Sequence, residues 1–140
     1  TDTALSVFKK ANPDFDIPYQ LPRIQRYAQK TKPINLLRAS INNLGLVPIG
    51  GTPHFQYLTG DKEAYLEYYG KYFGTLLTAD DSAENYDKMI ANFHYGIHDG
   101  KRSLITVEQE GRYYRILDGV HRAAILMHLG TKEALMMEVL

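Results

Sequence analysis

The C-terminal third of the chain carries the pattern that most restricts its fold. Two strand-like runs, Ser103 to Val107 and Tyr113 to Leu117, flank a short turn and predict a β-hairpin. Asp118-Gly119 interrupts the second run, and an apolar helix follows from His121 to Leu129. A candidate final strand occupies Met136 to Leu140. This succession of strands and helix predicts a mixed α/β fold.

Upstream, apolar residues recur at helical spacing in the run Ile34, Leu37, Ile41 and Leu44. Pro33 suits a first helical turn and Gly45 suits a helix end, so we predict a helix over 34–44. A short strand is predicted next, at Leu46 to Ile49. The proline-rich start of the chain, residues 1–22, predicts extended backbone after a short helix at Thr3 to Ala11.

Two more helices are predicted between the upstream strand and the hairpin. The first runs from Asp61 to Phe73, and its tyrosines cover so much of its circumference that packing on several sides is expected. They could stack on a nucleobase, but their spacing favours a core position. The second runs from about Ser82 to Phe93, with Asp81 and Glu84 at capping-box spacing. Its predicted apolar stripe consists of Tyr86, Met89, Ile90 and Phe93.

Composition excludes several classes of function. The 140 residues are 44% apolar, which suits one domain with its own core, and 16 basic residues balance 16 acidic ones. This composition does not favour a general nucleic-acid binder, because backbone affinity depends on many Lys and Arg contacts, but it leaves room for a small local basic site. The lack of cysteine excludes disulfides, thiolate zinc sites and a Cys nucleophile. With no membrane-length apolar run and no signal peptide, we expect a prokaryotic, cytoplasmic protein.

The turn Asp118-Gly119-Val120-His121-Arg122 has the chemistry of an anion site. Gly119 lets a ligand or a tight turn approach its backbone, and the next residues open a helix whose first amides lack intrahelical partners. Those amides and the helix dipole attract anions, and Arg122 adds a fork suited to phosphate. His121 can donate a hydrogen bond or move a proton, and Asp118 can orient a hydroxyl, bind magnesium or accept a proton. The same residues also fit an ordinary Asp-Gly turn in which Asp118 caps the helix, so the anion site and the structural turn both stay open as interpretations.

These residues resemble a motif of the ParB/sulfiredoxin superfamily. The matching stretch, Tyr114 to Leu126, reads as a strand, a Gly-x-x-Arg turn and a small-residue helix. A weaker match, Leu36 to Ile49, resembles the helix, glycine and apolar-Pro-Ile strand that precede the motif in that family. The resemblance implies a small mixed sheet in a single domain over residues 1–140, with a helical insertion at about 51–101.

The resemblance also implies a function. Phosphate of a nucleotide (ATP, ADP or CTP, with Mg²⁺) would bind at Gly119, Val120, His121 and Arg122. The Asp-Gly-x-His-Arg form is closest to the free serine kinases, which implies a small hydroxyl-bearing substrate and catalytic roles for Asp118 and His121. We therefore expect a nucleotide-dependent phosphotransferase. The alternatives are a non-catalytic nucleotide-binding regulatory module and a ParB-like nucleic-acid binder or nuclease.

Three departures narrow what the family resemblance implies. Sulfiredoxin chemistry needs a Cys where Val120 stands. Partition proteins carry a DNA-binding region after the nucleotide domain, whereas this sequence ends shortly after the motif, and its charge is balanced. The insertion is far longer than the family's usual connection, so it is expected to shape the site or to form a surface for a protein partner.

The remaining histidines give weaker signals. His54 follows Gly50-Gly51-Thr52-Pro53 on a predicted loop near the site, where it could contact substrate or make only a local hydrogen bond. His94 and His98 have the spacing of two metal ligands on one helix face. Gly96 between them and Asp99-Gly100 after them disfavour that helix, so we predict no metal site there.

Overall fold

The computed structural model describes residues 26–73, 78–98 and 101–140, which form a six-stranded mixed sheet, a two-stranded sheet and four α-helices. The strands are β1 Tyr27–Pro33, β2 Leu37–Ile41, β3 Gly45–Pro48, β4 Gly96–His98, β5 Lys101–Ser103, β6 Thr106–Glu110, β7 Tyr113–Asp118 and β8 Glu133–Val139. The helices are α1 Pro53–Leu58, α2 Lys62–Phe73, α3 Ala79–Ala91 and α4 Val120–His128. The predicted mixed α/β class is confirmed.

The large sheet has the order β1-β8-β6-β7-β2-β3. Strand β7 pairs antiparallel with β6 and parallel with β2, so it lies in the interior of the sheet. The other pairs are antiparallel β1 with β8, parallel β6 with β8, and antiparallel β2 with β3. Helix α4 leaves the end of β7 and returns the chain to β8, which places the turn at Gly119 away from both sheet edges.

Helix α4 contributes to two groups of buried side chains. Ala123, Ala124 and Leu126 belong to a cluster with residues of β2, β6, β7 and β8, and the two alanines let the helix backbone lie close to the sheet. The second cluster contains Ile125 with three tyrosines, Tyr57, Tyr65 and Tyr86. The long connection from β3 to β5 is therefore attached to the sheet through α4. No helix in the described ranges is long and apolar enough to cross a membrane.

The helix predicted over 34–44 is wrong. A single 3₁₀ turn, Ile34–Leu36, is followed by β2, in which Leu37, Ala39 and Ile41 are buried and alternate with more accessible residues. This period of two marks a strand. A turn with Asn43 at φ 69° and Gly45 at φ 73° then leads into β3, which confirms the predicted short strand. The helical part of the weaker family match is therefore a strand.

The other predicted elements are largely confirmed, with changes at their ends. Helices α2 and α4, the β6–β7 hairpin and the last strand lie where expected. The predicted Ser103–Val107 strand is divided, because Leu104 and Ile105 separate β5 from β6. The connection that was expected to hold two helices holds three among its described residues. The predicted helix at Thr3 to Ala11 lies outside the described residues.

Helix α3 begins earlier than predicted because a different residue caps it. The side chain of Thr78 accepts a hydrogen bond from the amide of Asp81 at 3.0 Å, so the predicted capping box of Asp81 with Glu84 is wrong. Tyr86 is buried, as predicted for the apolar stripe, whereas Met89 and Ile90 are exposed.

Candidate functional site

Gly119 forms the junction between β7 and α4. Its φ of 110° and ψ of 30° place it in the left-handed region, where side chains are strained. A Cβ at this position would lie 3.2 Å from both Cα and Cγ1 of Ile105 and 3.3 Å from Nε of Arg122. The backbone and side chain of Ile105, which lies between β5 and β6, therefore approach Gly119 closely. Because glycine is also the N-cap of α4, it offers no side chain to the amides of the first helical turn.

Arg122 ties the start of α4 to two other parts of the site. Its Nη1 donates to the carbonyl oxygen of Leu104 at 2.9 Å, and its Nη2 donates to Oδ2 of Asp118, also at 2.9 Å. The Arg122 side chain is 18% exposed, whereas that of Asp118 is 75% exposed. These two bonds use two of the guanidinium's five N–H groups, so they fix its plane beside the helix start without exhausting its donors.

His121 turns away from Arg122 and into a group of aromatic rings. Its Nε2 lies 2.9 Å from the hydroxyl of Tyr65 and 3.4 Å from that of Tyr69. Its ring meets those of Tyr86 and His54 edge to face, with centroid separations of 4.7 Å and 4.5 Å. The residue that was predicted to contact phosphate therefore directs its Nε2 towards the helices of the insertion.

His54 lies in the first turn of α1, not in the predicted loop, and only 3% of its surface is exposed. Its Nε2 is 2.7 Å from the hydroxyl of Tyr69, and its backbone carbonyl accepts a hydrogen bond from Tyr86 at 3.0 Å. Thr52 caps this helix by accepting from the amide of Phe55. The buried ring of His54 therefore packs against the ring of His121.

Burial keeps both histidines neutral. Loss of solvent, followed by the nearby charge of Arg122, lowers the pKa of His121 to about 4. The same loss of solvent, followed by the proximity of His121, lowers the pKa of His54 to about 3. Burial is also the main cause of the raised pKa values of Tyr65, Tyr69 and Tyr86. At neutral pH these five side chains form an uncharged hydrogen-bonding group beside the cationic Arg122.

The predicted site residues thus divide between two environments. Asp118, Gly119, Val120 and Arg122 form the outer part, at the start of α4. His121 and His54 belong to the inner aromatic group. Sequence reasoning missed the carbonyl of Leu104 and the tyrosines that meet His121. The spacing of Tyr65 and Tyr69, four residues apart on α2, was the available signal, since such pairs share a helix face.

The carboxylate of Asp118 is the one site group suited to magnesium. Across the parts of the chain that the structure describes, no group of three or more His, Cys, Asp or Glu side chains could hold a metal ion. Mg²⁺ is commonly held by one or two carboxylates together with substrate phosphates and water. Asp118 could therefore supply one ligand to a magnesium ion, and the other ligands would have to come from outside the chain.

Comparisons with known proteins leave the family unassigned. No protein-family model matches the chain, and searches of curated proteins and of solved structures also find no match. The ParB/sulfiredoxin resemblance therefore stays an expectation that depends on the residues of the motif.

Proposed function

We propose that this chain binds nucleotide phosphate at the start of α4 and acts as a phosphotransferase of the ParB/sulfiredoxin type. One observation carries the proposal: Arg122 is held beside a helix start whose cap residue, Gly119, has no side chain. Unpaired first-turn amides, a helix dipole and a guanidinium together favour a phosphate group. Stabilisation of phosphoryl charge by such groups is the main task in phosphoryl transfer.

In this proposal the exposed carboxylate of Asp118 changes its contacts when the ligands bind. Its side chain is 75% exposed, although that of Arg122 is only 18% exposed, and ion pairs with a solvent-exposed member contribute only about 0–1 kcal/mol. Asp118 can therefore exchange this contact for Mg²⁺ or for the substrate hydroxyl at little cost. Arg122 keeps its bond to Leu104 when Asp118 leaves, so its position does not depend on the pair.

The proposed transfer step uses Asp118 as its base. The hydroxyl oxygen of a small substrate attacks the terminal phosphorus of the nucleotide, and the bond from that phosphorus to the leaving nucleotide oxygen breaks. Asp118 accepts the hydroxyl proton, which is then released to solvent. His121 carries no charge for phosphate, and its Nε2 is directed to the hydroxyls of Tyr65 and Tyr69, so its role in this proposal is to hold the start of α4 against the insertion.

A thermal-shift screen with ATP, ADP and CTP, each with Mg²⁺, tests the binding. A ligand at a hundred times its Kd stabilises the folded state by about 2.7 kcal/mol, which raises Tm by roughly 5–10 °C for a domain of this size. We expect at least one nucleotide to raise Tm in the wild type. Arg122→Ala should lose the shift and Arg122→Lys should keep part of it.

Arg115→Ala is the matched control, because Arg115 lies on β7 and pairs instead with Glu108 at 3.0 Å. It should keep the full shift. The Tm of each variant with ligand is compared with its own Tm without ligand. A general loss of stability in Arg122→Ala, which lacks the bond to Leu104, is therefore not mistaken for a loss of binding. No shift with any nucleotide in the wild type would refute the proposal. Binding without phosphate transfer or release across a metabolite panel would favour the regulatory module.

A further inference from the structure

A cleft of about 160 Å³ opens between α2, α3 and the start of α4. Tyr65 and Tyr86 line its buried part together with His121, while Ser82, Asn85 and Met89 line it from α3. Tyr65 and Tyr86 are at most 1% exposed, whereas Asn85 and Met89 are exposed. The cleft therefore runs from solvent at α3 down to the aromatic group around His121.

Ser82 carries an unexplained polar group in this cleft. The residue is 6% exposed, and its hydroxyl oxygen is buried without a hydrogen-bond partner in the described part of the chain. Its backbone groups are satisfied, because its amide donates to Thr78 and its carbonyl accepts from Tyr65. A buried hydroxyl without a partner is costly, and a native structure that keeps one calls for an explanation. A bound polar group would supply the missing partner.

The character of the lining limits the ligand. The side chains that line the cleft are neutral at physiological pH, since burial lowers the pKa of His121 to about 4 and raises those of the tyrosines. A cation would lose solvent there without gaining a counter-charge, and an anion would have only Arg122 nearby, which already pairs with Asp118. The accessible apolar part of the lining, Tyr69 and Met89, favours a ring, and a cavity of roughly 150 Å³ is known to accept a molecule the size of benzene.

We propose that this cleft binds a neutral, single-ring molecule that carries one hydroxyl group, of the size and polarity of phenol. The ring packs against Tyr69 and Met89, which are the accessible apolar side chains of the lining, and the ligand hydroxyl bonds with the hydroxyl of Ser82. The site does not depend on phosphate binding at Gly119, although His121 borders both. The cleft reaches His121, the second residue of α4, and a neutral ring there would not repel a phosphate group at the helix start. The two sites can therefore be occupied together.

Titration of the ¹⁵N-labelled chain with phenol tests the site, with toluene and benzoate as comparison ligands. We expect saturable shifts centred on Ser82, Tyr86 and His121, with the tightest binding for phenol and the weakest for benzoate. Ser82→Ala removes the polar partner, so the Kd for phenol should rise about fivefold while that for toluene stays unchanged. Equal phenol affinity in wild type and Ser82→Ala would overturn the assignment.

A second pair of variants tests the location without altering buried residues. Met89→Trp adds a bulky ring at the exposed mouth and should abolish phenol binding. Ile90→Trp is the matched control, because Ile90 is similarly exposed on the same helix but does not line the cleft. Phenol binding that survives Met89→Trp, or the absence of saturable shifts in the wild type, would overturn the proposal. Neither result bears on the nucleotide screen, so the two proposals fail separately.

Discussion

At the scale of single residues, Gly119 meets two separate requirements. Its φ of 110° disfavours any side chain, and Ile105 occupies the space that a Cβ would need. We expect Gly119→Ala to lower the free energy of unfolding by about 2–4 kcal/mol, as the strain and the overpacking combine. Gly111→Ala is the control, since Gly111 has a φ of 63° but no heavy atom within 4 Å of its Cβ position. It should cost only about 1–2 kcal/mol. Urea denaturation measures both, and equal losses would show that the Ile105 contact is unimportant.

The paired histidines give the protein a defined response to acid. His54 and His121 stay neutral in the folded state, with pKa values of about 3 and about 4, whereas an exposed histidine titrates near 6.5. The unfolded chain therefore binds more protons below pH 6.5, and stability falls as the pH is lowered towards 4. Each histidine should contribute about 1.4 kcal/mol per pH unit in that window.

His54→Gln isolates one of these contributions, because the glutamine amide can still reach the hydroxyl of Tyr69. The slope of unfolding free energy against pH should drop by about 1.4 kcal/mol per unit between pH 6 and pH 4. His128→Gln, at an exposed position on α4, should leave the slope unchanged. A wild-type slope that His54→Gln does not alter would contradict neutral burial of His54.

At the scale of elements, residues 34–44 show why one segment was predicted wrongly. Ile34, Leu37 and Ile41 fit a helical period, yet Leu37, Ala39 and Ile41 fit a strand equally well. Pairing with β3 and β7 decides between the two periods, and the pairing with β7 joins β2 to residues far along the chain. The apolar patterns of α2 and α4 are strong, and both helices were predicted correctly without information about tertiary pairing.

Helix α4 joins the sheet to the helical insertion through Ile125. This side chain is 4% exposed and packs in the cluster that contains Tyr57, Tyr65 and Tyr86. Ile125→Ala should lower the free energy of unfolding by about 2–5 kcal/mol, because it leaves a cavity among rings that cannot collapse to fill it. Leu129→Ala, one turn later and 66% exposed, should change it by no more than about 0.5 kcal/mol. Thermal or urea unfolding distinguishes them, and similar small losses would argue that α4 and the insertion are weakly coupled.

At the scale of the whole molecule, the fold assembles a site that the sequence could locate only in part. The turn at 118–122 was recognisable because its residues are contiguous. The aromatic group around His121 was not, because Tyr65 and Tyr86 are 56 and 35 positions away in the chain and meet it only through packing of α2 and α3. The proposed phosphate site could therefore be predicted from contiguous residues, whereas the cleft depends on tertiary structure.

The balance of charge over the whole chain leads to a further expectation. The 16 basic residues are balanced by 16 acidic ones, so the proposed phosphate site relies on the local charge of Arg122 and not on an excess of positive charge over the whole chain. We expect duplex DNA to bind negligibly at physiological salt, as measured by fluorescence anisotropy over a salt series. Tight binding that weakens steeply with salt would favour the ParB-like nucleic-acid binder instead.

The location of a bound nucleotide decides whether the start of α4 is a phosphate site. Titration of the ¹⁵N-labelled chain with Mg²⁺ and ATP, followed amide by amide, measures this location. We expect the largest saturable shifts at the amides of Val120, His121 and Arg122, with their loss in Arg122→Ala. Saturable shifts confined to other parts of the chain, or none at all, would contradict a phosphate site at the start of α4.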